Sequence, residues 1–189
     1  MPLAAALEVL AELRGDRDVV VTTMGAAREW IRRRPHPLDF HYVPSTMSGG
    51  VPLALGLALA QPDREVTVLS GDGSLLMSLG ALVTIADSGA ANLTVAVIGN
   101  GVYEITGGQR IAGTGVDFAA VARACGFSNV ARFSELDDFR ARAKDVLSRP
   151  GPRLLELKVE PVREDYALVP PGPMQHRLER FRRALADSS

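Results

Sequence analysis

The chain is almost without cysteine: Cys125 is the one thiol in 189 residues. That excludes an intramolecular disulfide and any cysteine-rich metal site, and the apolar neighbours of Cys125 favour a reduced, buried thiol. Net charge is nearly absent as well. With 21 basic and 22 acidic residues balancing to −1, there is no electrostatic ground for binding nucleic acid or an anionic membrane. No uninterrupted run of about 20 apolar residues occurs, which argues against a membrane-spanning helix. The stretch MPLAAALEVLAELRGDRD carries acidic residues inside its apolar part and has no basic leader, so no secretory signal is expected. His36 lies between prolines and His176 lies in the tail, neither with ligand-forming neighbours. There is no internal repeat, and no G-x-G-x-x-G spacing to suggest a nicotinamide-binding domain. The expectation is a cytoplasmic protein whose partners are small molecules or other proteins.

What is present is an alternation of two periodicities over a composition that is 47% hydrophobic, enough for one well-buried domain. Helical spacing over 3–13 gives way to the β-branched run DVVVTT at 18–23. Residues 24–34 read as a helix stopped by Pro35 and Pro37, and DFHYV at 39–43 as a short strand. SGGVPLALGLALA, residues 48–60, is apolar on all sides and reads as a helix buried in the protein or at a subunit contact. Further strands are expected at 65–70, 93–100 and 153–160, and further helices at 74–88, 117–125 and 134–148, with Gly89 placed to end the first of these. Strands alternating with helices imply a three-layer α/β/α domain around a mostly parallel sheet of about six strands, spanning 1–160. Residues 161–189 form a proline-rich linker and a basic C-terminal helix. Its Arg177, Arg180, Arg182 and Arg183 read as a solvated face, with docking onto a partner as the alternative.

In such sheets ligands bind outside the carboxyl ends of the strands. GDGS at 71–74 ends one strand and GNG at 99–101 ends the next, with one helix between them. Asp72 and Asn100 would then offer two oxygen ligands at one sheet edge, a set that suits Mg²⁺ completed by water and phosphate. Gly71 and Gly73 would let the backbone approach that phosphate, and Ser74 with the first helical amides would donate to it. The alternative is that GDG is only a tight turn.

GDGSLLMSLGALVTIADSGAANLTVAVIGN resembles the diphosphate-binding signature of thiamine-diphosphate enzymes, which opens on GDG and closes on Asn. The resemblance implies a thiamine-diphosphate-binding fold with thiamine diphosphate and Mg²⁺ as cofactors. It makes Asp72, Asn100 and the main-chain carbonyl of Val102 the metal ligands, although Gly99 stands where many relatives carry a first Asn. PSTMSGGVPLALGLALA is similar to the family segment with a Gly-Ser-Met-Gly core. By that likeness Met47 wedges beneath the cofactor, the Ser45 carbonyl accepts from the aminopyrimidine, and Thr46 lies between them. Ser45, Thr46 and Ser48 replace the Gly, Ser and Gly common in relatives.

VYEITGGQ, residues 102–109, resembles the corresponding stretch of sulfopyruvate and phosphonopyruvate decarboxylases, and the likeness covers about 18–160. It implies decarboxylation of a small 2-oxo acid, with Tyr103, Glu104, Thr106 and Gln109 close to the reacting carbon. Glu104 departs from the small residue expected there; it would disfavour a doubly anionic substrate if it faces the site, and is otherwise a solvated loop acid. His41 is a candidate proton donor, with a structural role as the alternative. In this family a glutamate on a pyrimidine-binding domain activates the cofactor. No second domain of that kind fits in 189 residues, so a partner subunit supplying it is expected, in an α₂β₂ or larger assembly. A carboligase similar to acetolactate synthase, or a noncatalytic regulatory subunit that kept the fold, are the other readings.

Overall fold

A computed structural model describes residues 1–33, 35–162 and 171–187. Six parallel strands form the central sheet: β1 Val19–Thr23, β2 Asp39–Tyr42, β3 Val66–Gly71, β4 Leu93–Gly99, β7 Asn129–Phe133 and β8 Arg153–Lys158, in the order β2-β1-β3-β4-β8-β7. A short antiparallel ribbon, β5 Val102–Tyr103 with β6 Gln109–Arg110, stands apart from it. The helices are α1 Leu3–Leu13, α2 Met24–Ile31, α3 Gly50–Ala60, α4 Asp72–Leu76, α5 Gly80–Ser88, α6 Phe118–Ala124, α7 Leu136–Leu147 and α8 Met174–Asp187.

The apolar runs of the central strands split between two cores because successive side chains leave opposite faces of a strand. Val19, Val21, Val66, Val68, Val95 and Val97 pack beneath α3, α5, α6 and α8. Val20, Leu69, Ala96, Ile98, Leu155 and Leu157 pack against α1, α2 and α7. A parallel sheet covered on both faces needs such runs rather than an alternating pattern.

Several expectations are corrected. The helix expected over 74–88 is two helices, α4 and α5, separated by a turn at 77–79. Its end is as read: Gly89 closes α5 in the left-handed region at φ +64°. The sixth strand, β7, pairs with β8 at the sheet edge, and its NVARF sequence buries Ala131 and Phe133 while Arg132 faces out. Helix α3 buries Val51, Ala54, Leu55 and Ala58 but leaves Pro52, Gly56, Leu59 and Ala60 exposed, so it is apolar on both sides while buried on one. Cys125 is half-buried.

The C-terminal helix is also not wholly a solvated element. Phe181 packs on Phe40 of β2 with ring centroids 5.1 Å apart. Arg177 is buried and donates to the carbonyls of His41 and Val43, since a guanidinium can satisfy backbone oxygens at a sheet edge that no further strand covers. Arg180, Arg182 and Arg183 do face solvent. The linker expected just before α8 lies largely outside the described residues. Among those described, no helix is long and apolar enough to cross a membrane.

Candidate active site

The sheet order itself defines a crevice. From β1 the chain crosses to β2 on one side, whereas β3 lies on the other side of β1. The segment after β1 enters α2 on one face of the sheet, and the segment after β3 enters α4 and α5 on the opposite face. The two connections diverge, leaving a cleft of about 130 Å³ outside the carboxyl ends of β1, β3 and β4.

Asp72 lies at its floor. Gly71 pairs in register with Ile98, so Asp72 and Asn100 both emerge just beyond the paired ends of adjacent strands. The Asp72 side chain is 3% exposed. One carboxylate oxygen accepts from the Gly73 amide at 2.7 Å and the other from the Gly101 amide at 2.8 Å. No cation is paired with it among the described residues. Burial pushes the Asp72 carboxyl above its ordinary value, opposed by the Gly101 and Gly73 amides and, more weakly, by the charge of Lys158. The Asn100 side-chain oxygen accepts from the Val102 amide at 3.0 Å, which folds the Asn100–Val102 turn back on itself.

A buried, unpaired carboxylate beside a second side-chain oxygen fits a divalent cation. Among the described residues no group of three His, Cys, Asp or Glu could hold a metal ion without help. The donor set therefore suits an ion that brings phosphate oxygens with it, as Mg²⁺ does with a diphosphate.

Ser45, Met47, Gly71, Gly73, Ser74, Val102, Tyr103, Glu104 and Thr106 also line the cleft. Ser74 Oγ accepts from the Ser48 amide at 2.8 Å, tying the Met47 arm to the turn after β3. Gly73 has a reason other than phosphate approach. A Cβ there would lie 2.5 Å from Tyr103 Cε1 and 3.0 Å from Ile111 Cγ2, so the ring of Tyr103 occupies the space a side chain would need. At Gly71 a Cβ would meet nothing within 4 Å. The dipole argument weakens too, because α4 is a single short turn of helix.

Glu104 and Thr106 form the 3₁₀ turn Glu104–Thr106 between β5 and β6. Glu104 faces the cleft and is also engaged: one of its oxygens accepts from the Val162 amide at 2.7 Å. Thr106 Oγ1 donates to Gln109 Oε1 at 3.1 Å. Three sequence candidates, Thr46, His41 and Gln109, are absent from the lining. Thr46 offers its carbonyl to the Gly49 amide. His41 lies within β2, its Nδ1 2.8 Å from Thr22 Oγ1. Conversely, the sequence reading missed Thr23, Met24 and Gly25, which line the cleft from the end of β1. Met24 has φ +37°, rare for a residue with a side chain, and such outliers gather at functional sites.

The family described as thiamine pyrophosphate enzyme, C-terminal TPP binding domain, matches residues 18–157. Phosphonopyruvate decarboxylase of Streptomyces viridochromogenes is 40% identical over 159 residues, 84% of this chain. The chain spans 40% of that protein's length. Sulfopyruvate decarboxylase subunit beta of Methanothermobacter thermautotrophicus is 34% identical over 166 residues, 86% of each chain. Among solved structures, benzoylformate decarboxylase of Polynucleobacter necessarius superposes with a TM-score of 0.73 at 21% identity, covering 86% of this chain and 34% of that one, a likeness of fold.

Proposed function

The chain belongs to the thiamine pyrophosphate enzymes, in their C-terminal TPP-binding domain, and on that premise we propose that it is the diphosphate-binding part of a decarboxylase acting on a small 2-oxo acid. The observation that carries this reading is Asp72, a buried carboxylate with no cation paired to it among the described residues, in a cleft shared with Asn100 and Val102.

In this reading the side-chain oxygens of Asp72 and Asn100 and the carbonyl of Val102 hold Mg²⁺, and Gly71, Gly73 and Ser74 border the diphosphate. Met47 and the Ser45 carbonyl set the orientation of the rings, with Thr46 shaping the arm from behind. Bound there, thiamine diphosphate supplies an electron sink for the loss of carbon dioxide. The chain's own contribution is position and charge. The turn at Tyr103, Glu104 and Thr106 forms part of the cleft wall and shapes what can approach. His41, hydrogen-bonded to Thr22 outside the lining, acts through the β2 edge rather than on substrate.

The site needs a second body. At about 130 Å³ the cleft is smaller than the roughly 300–1,000 Å³ of complete ligand sites. The named sulfopyruvate decarboxylase relative is a subunit matched over 86% of its length, whereas the phosphonopyruvate decarboxylase relative extends well beyond the matched part. We infer a pyrimidine-binding partner that supplies the activating glutamate, in an α₂β₂ or larger assembly. The exposed apolar side of α3, with Leu59, and the neighbouring Met77 and Val83 offer a surface for it.

Substrate class follows from charge. Among the described residues the cleft is lined by two carboxylates, Asp72 and Glu104, and by no Lys, Arg or His. A second anionic group on the substrate, as the relatives' names indicate for theirs, finds no cation in that described lining and is expected to meet one on the partner. The test is carbon dioxide release from pyruvate, sulfopyruvate and phosphonopyruvate by the chain reconstituted with a pyrimidine-binding subunit. Release is expected only with Mg²⁺ and thiamine diphosphate, and to vanish in Asp72→Ala. A folded, cofactor-loaded complex that releases none from any 2-oxo acid would overturn the reading.

A further inference from the structure

Among the described residues the edge strand β2 pairs only with β1, and the backbone groups on its outer side find no strand partner there. Buried carbonyls left in that state are costly, and an edge of this kind is usually covered. The Asp39 and Val43 amides turn back onto the His36 and His41 carbonyls, and the further cover for the carbonyls at the strand's end is, among the described residues, one side chain. Arg177 of α8 is 6% exposed. Its Nη1 donates to the His41 carbonyl, its Nη2 to the Val43 carbonyl, and its Nε to the Gly172 carbonyl at 3.1 Å. All three nitrogens of the guanidinium are spent on backbone oxygens, and Phe181, one turn further on, anchors the helix on Phe40.

Immediately after Val43 the chain enters the arm that carries Ser45 and Met47 into the cleft. The far end of that arm is fixed by the Ser48 amide on Ser74 Oγ and by the left-handed backbone of Ser48, φ +72°. The arm is thus suspended between a clasp outside the cleft and a hydrogen bond inside it. We propose that Arg177 is a positioning residue which, by fixing the carbonyls of His41 and Val43, sets where the Ser45 carbonyl and the Met47 side chain stand in the cleft. The proposal rests on reading the cleft as the cofactor site. A guanidinium is suited to the task because its planar fork holds two acceptors at once, whereas an ammonium is a point charge without that geometry.

The test uses the full chain labelled with [methyl-¹³C]methionine, the Met47 signal being assigned through Met47→Leu. Arg177→Met keeps most of the apolar stem; Arg177→Lys keeps the charge; Arg180→Met, on the exposed side of the same helix, is the control. Arg177→Met is expected to shift or broaden the Met47 methyl signal and to weaken Mg²⁺-dependent thiamine diphosphate binding about tenfold, because a preorganised arm is lost. Arg177→Lys should fall between it and the wild type, and Arg180→Met should do neither. If Arg177→Met does not fold, Arg177→Lys decides by the same two readouts. An unchanged Met47 signal and affinity in the folded Arg177 variants, or an equal change in Arg180→Met, would overturn the proposal. Should the wild-type chain bind no cofactor even with its partner, the cofactor reading falls, while the Met47 signal still decides whether Arg177 sets the arm.

Discussion

Replacing Gly73 by alanine separates two reasons for a glycine between Asp72 and Ser74. If the glycine serves only to admit a phosphate, the cofactor-free chain should tolerate alanine. The structure points elsewhere: the new Cβ would lie 2.5 Å from Tyr103 Cε1 and 3.1 Å from Tyr103 Cδ1, against a comfortable carbon–carbon separation of about 3.5–4.0 Å. The contact is with the edge of the ring, so Tyr103 must move by about 1 Å; it is half-buried and can move outward. Ile111, 4% exposed and 3.0 Å from the new atom, has less room. Overpacking of this kind costs about 1–3 kcal/mol. Alanine returns about 0.4–1 kcal/mol through the unfolded chain, since the Gly73 backbone is helical. The net destabilisation is therefore about 0.5–2 kcal/mol in the absence of cofactor, a fall in Tm of roughly 2–4 °C per kcal/mol. Urea denaturation of Gly73→Ala in the wild-type and Tyr103→Ala backgrounds reads it as a double-mutant cycle. Removing the ring should cut the cost of the alanine to what Ile111 still imposes, with a coupling of about 1 kcal/mol or more. A neutral Gly73→Ala in the wild type, or an equal cost in both backgrounds, would refute the argument and return Gly73 to the phosphate.

Burial holds the His41 imidazole below its ordinary value of 6.5, with Arg177 and Arg14 acting in the same sense and Asp39 against them. Below 6.5 the unfolded chain therefore binds a proton that folded His41 resists, and the stabilisation present above 6.5 is lost as pH falls through the window down to the depressed folded value. His41→Asn should flatten that part of the stability profile measured by urea denaturation from pH 8 to 5; a profile parallel to the wild type would contradict it. Glu104→Ala should leave the Val162 amide without its acceptor and speed proteolysis just beyond β8, whereas Glu104→Gln, which keeps an acceptor oxygen, should not. Equal cleavage rates in the two variants would show that the Glu104–Val162 hydrogen bond holds nothing.

The parts of this molecule legible in the sequence are those set by local pattern. The runs at 66–71 and 93–99 are β-branched and apolar because both faces of the sheet are covered, and the turns after them carry Asp72 and Asn100. Strand order is a long-range property with no local signature, which is why Thr23, Met24 and Gly25 went unseen until β1 proved to lie beside β3 at the crevice. Strand β7 was missed because an edge strand needs only one apolar face, and Asn129 and Arg132 break up its run. The split of the helix after Asp72 likewise has only Ser78 and Gly80 to announce it. The tail arginines look alike in sequence; burial singles out Arg177 because it meets carbonyls contributed by residues more than 130 positions away.

The most direct measurement is calorimetric titration of thiamine diphosphate into the chain, with and without Mg²⁺, in the presence and absence of a pyrimidine-binding partner, with Asp72→Ala as control. Binding is expected to require Mg²⁺, to strengthen with the partner and to be lost in Asp72→Ala, while Mg²⁺ alone binds weakly because the chain offers it a single carboxylate. Binding that is indifferent to Mg²⁺ or to Asp72, or no binding by a folded chain with its partner present, would contradict the assignment of the cleft.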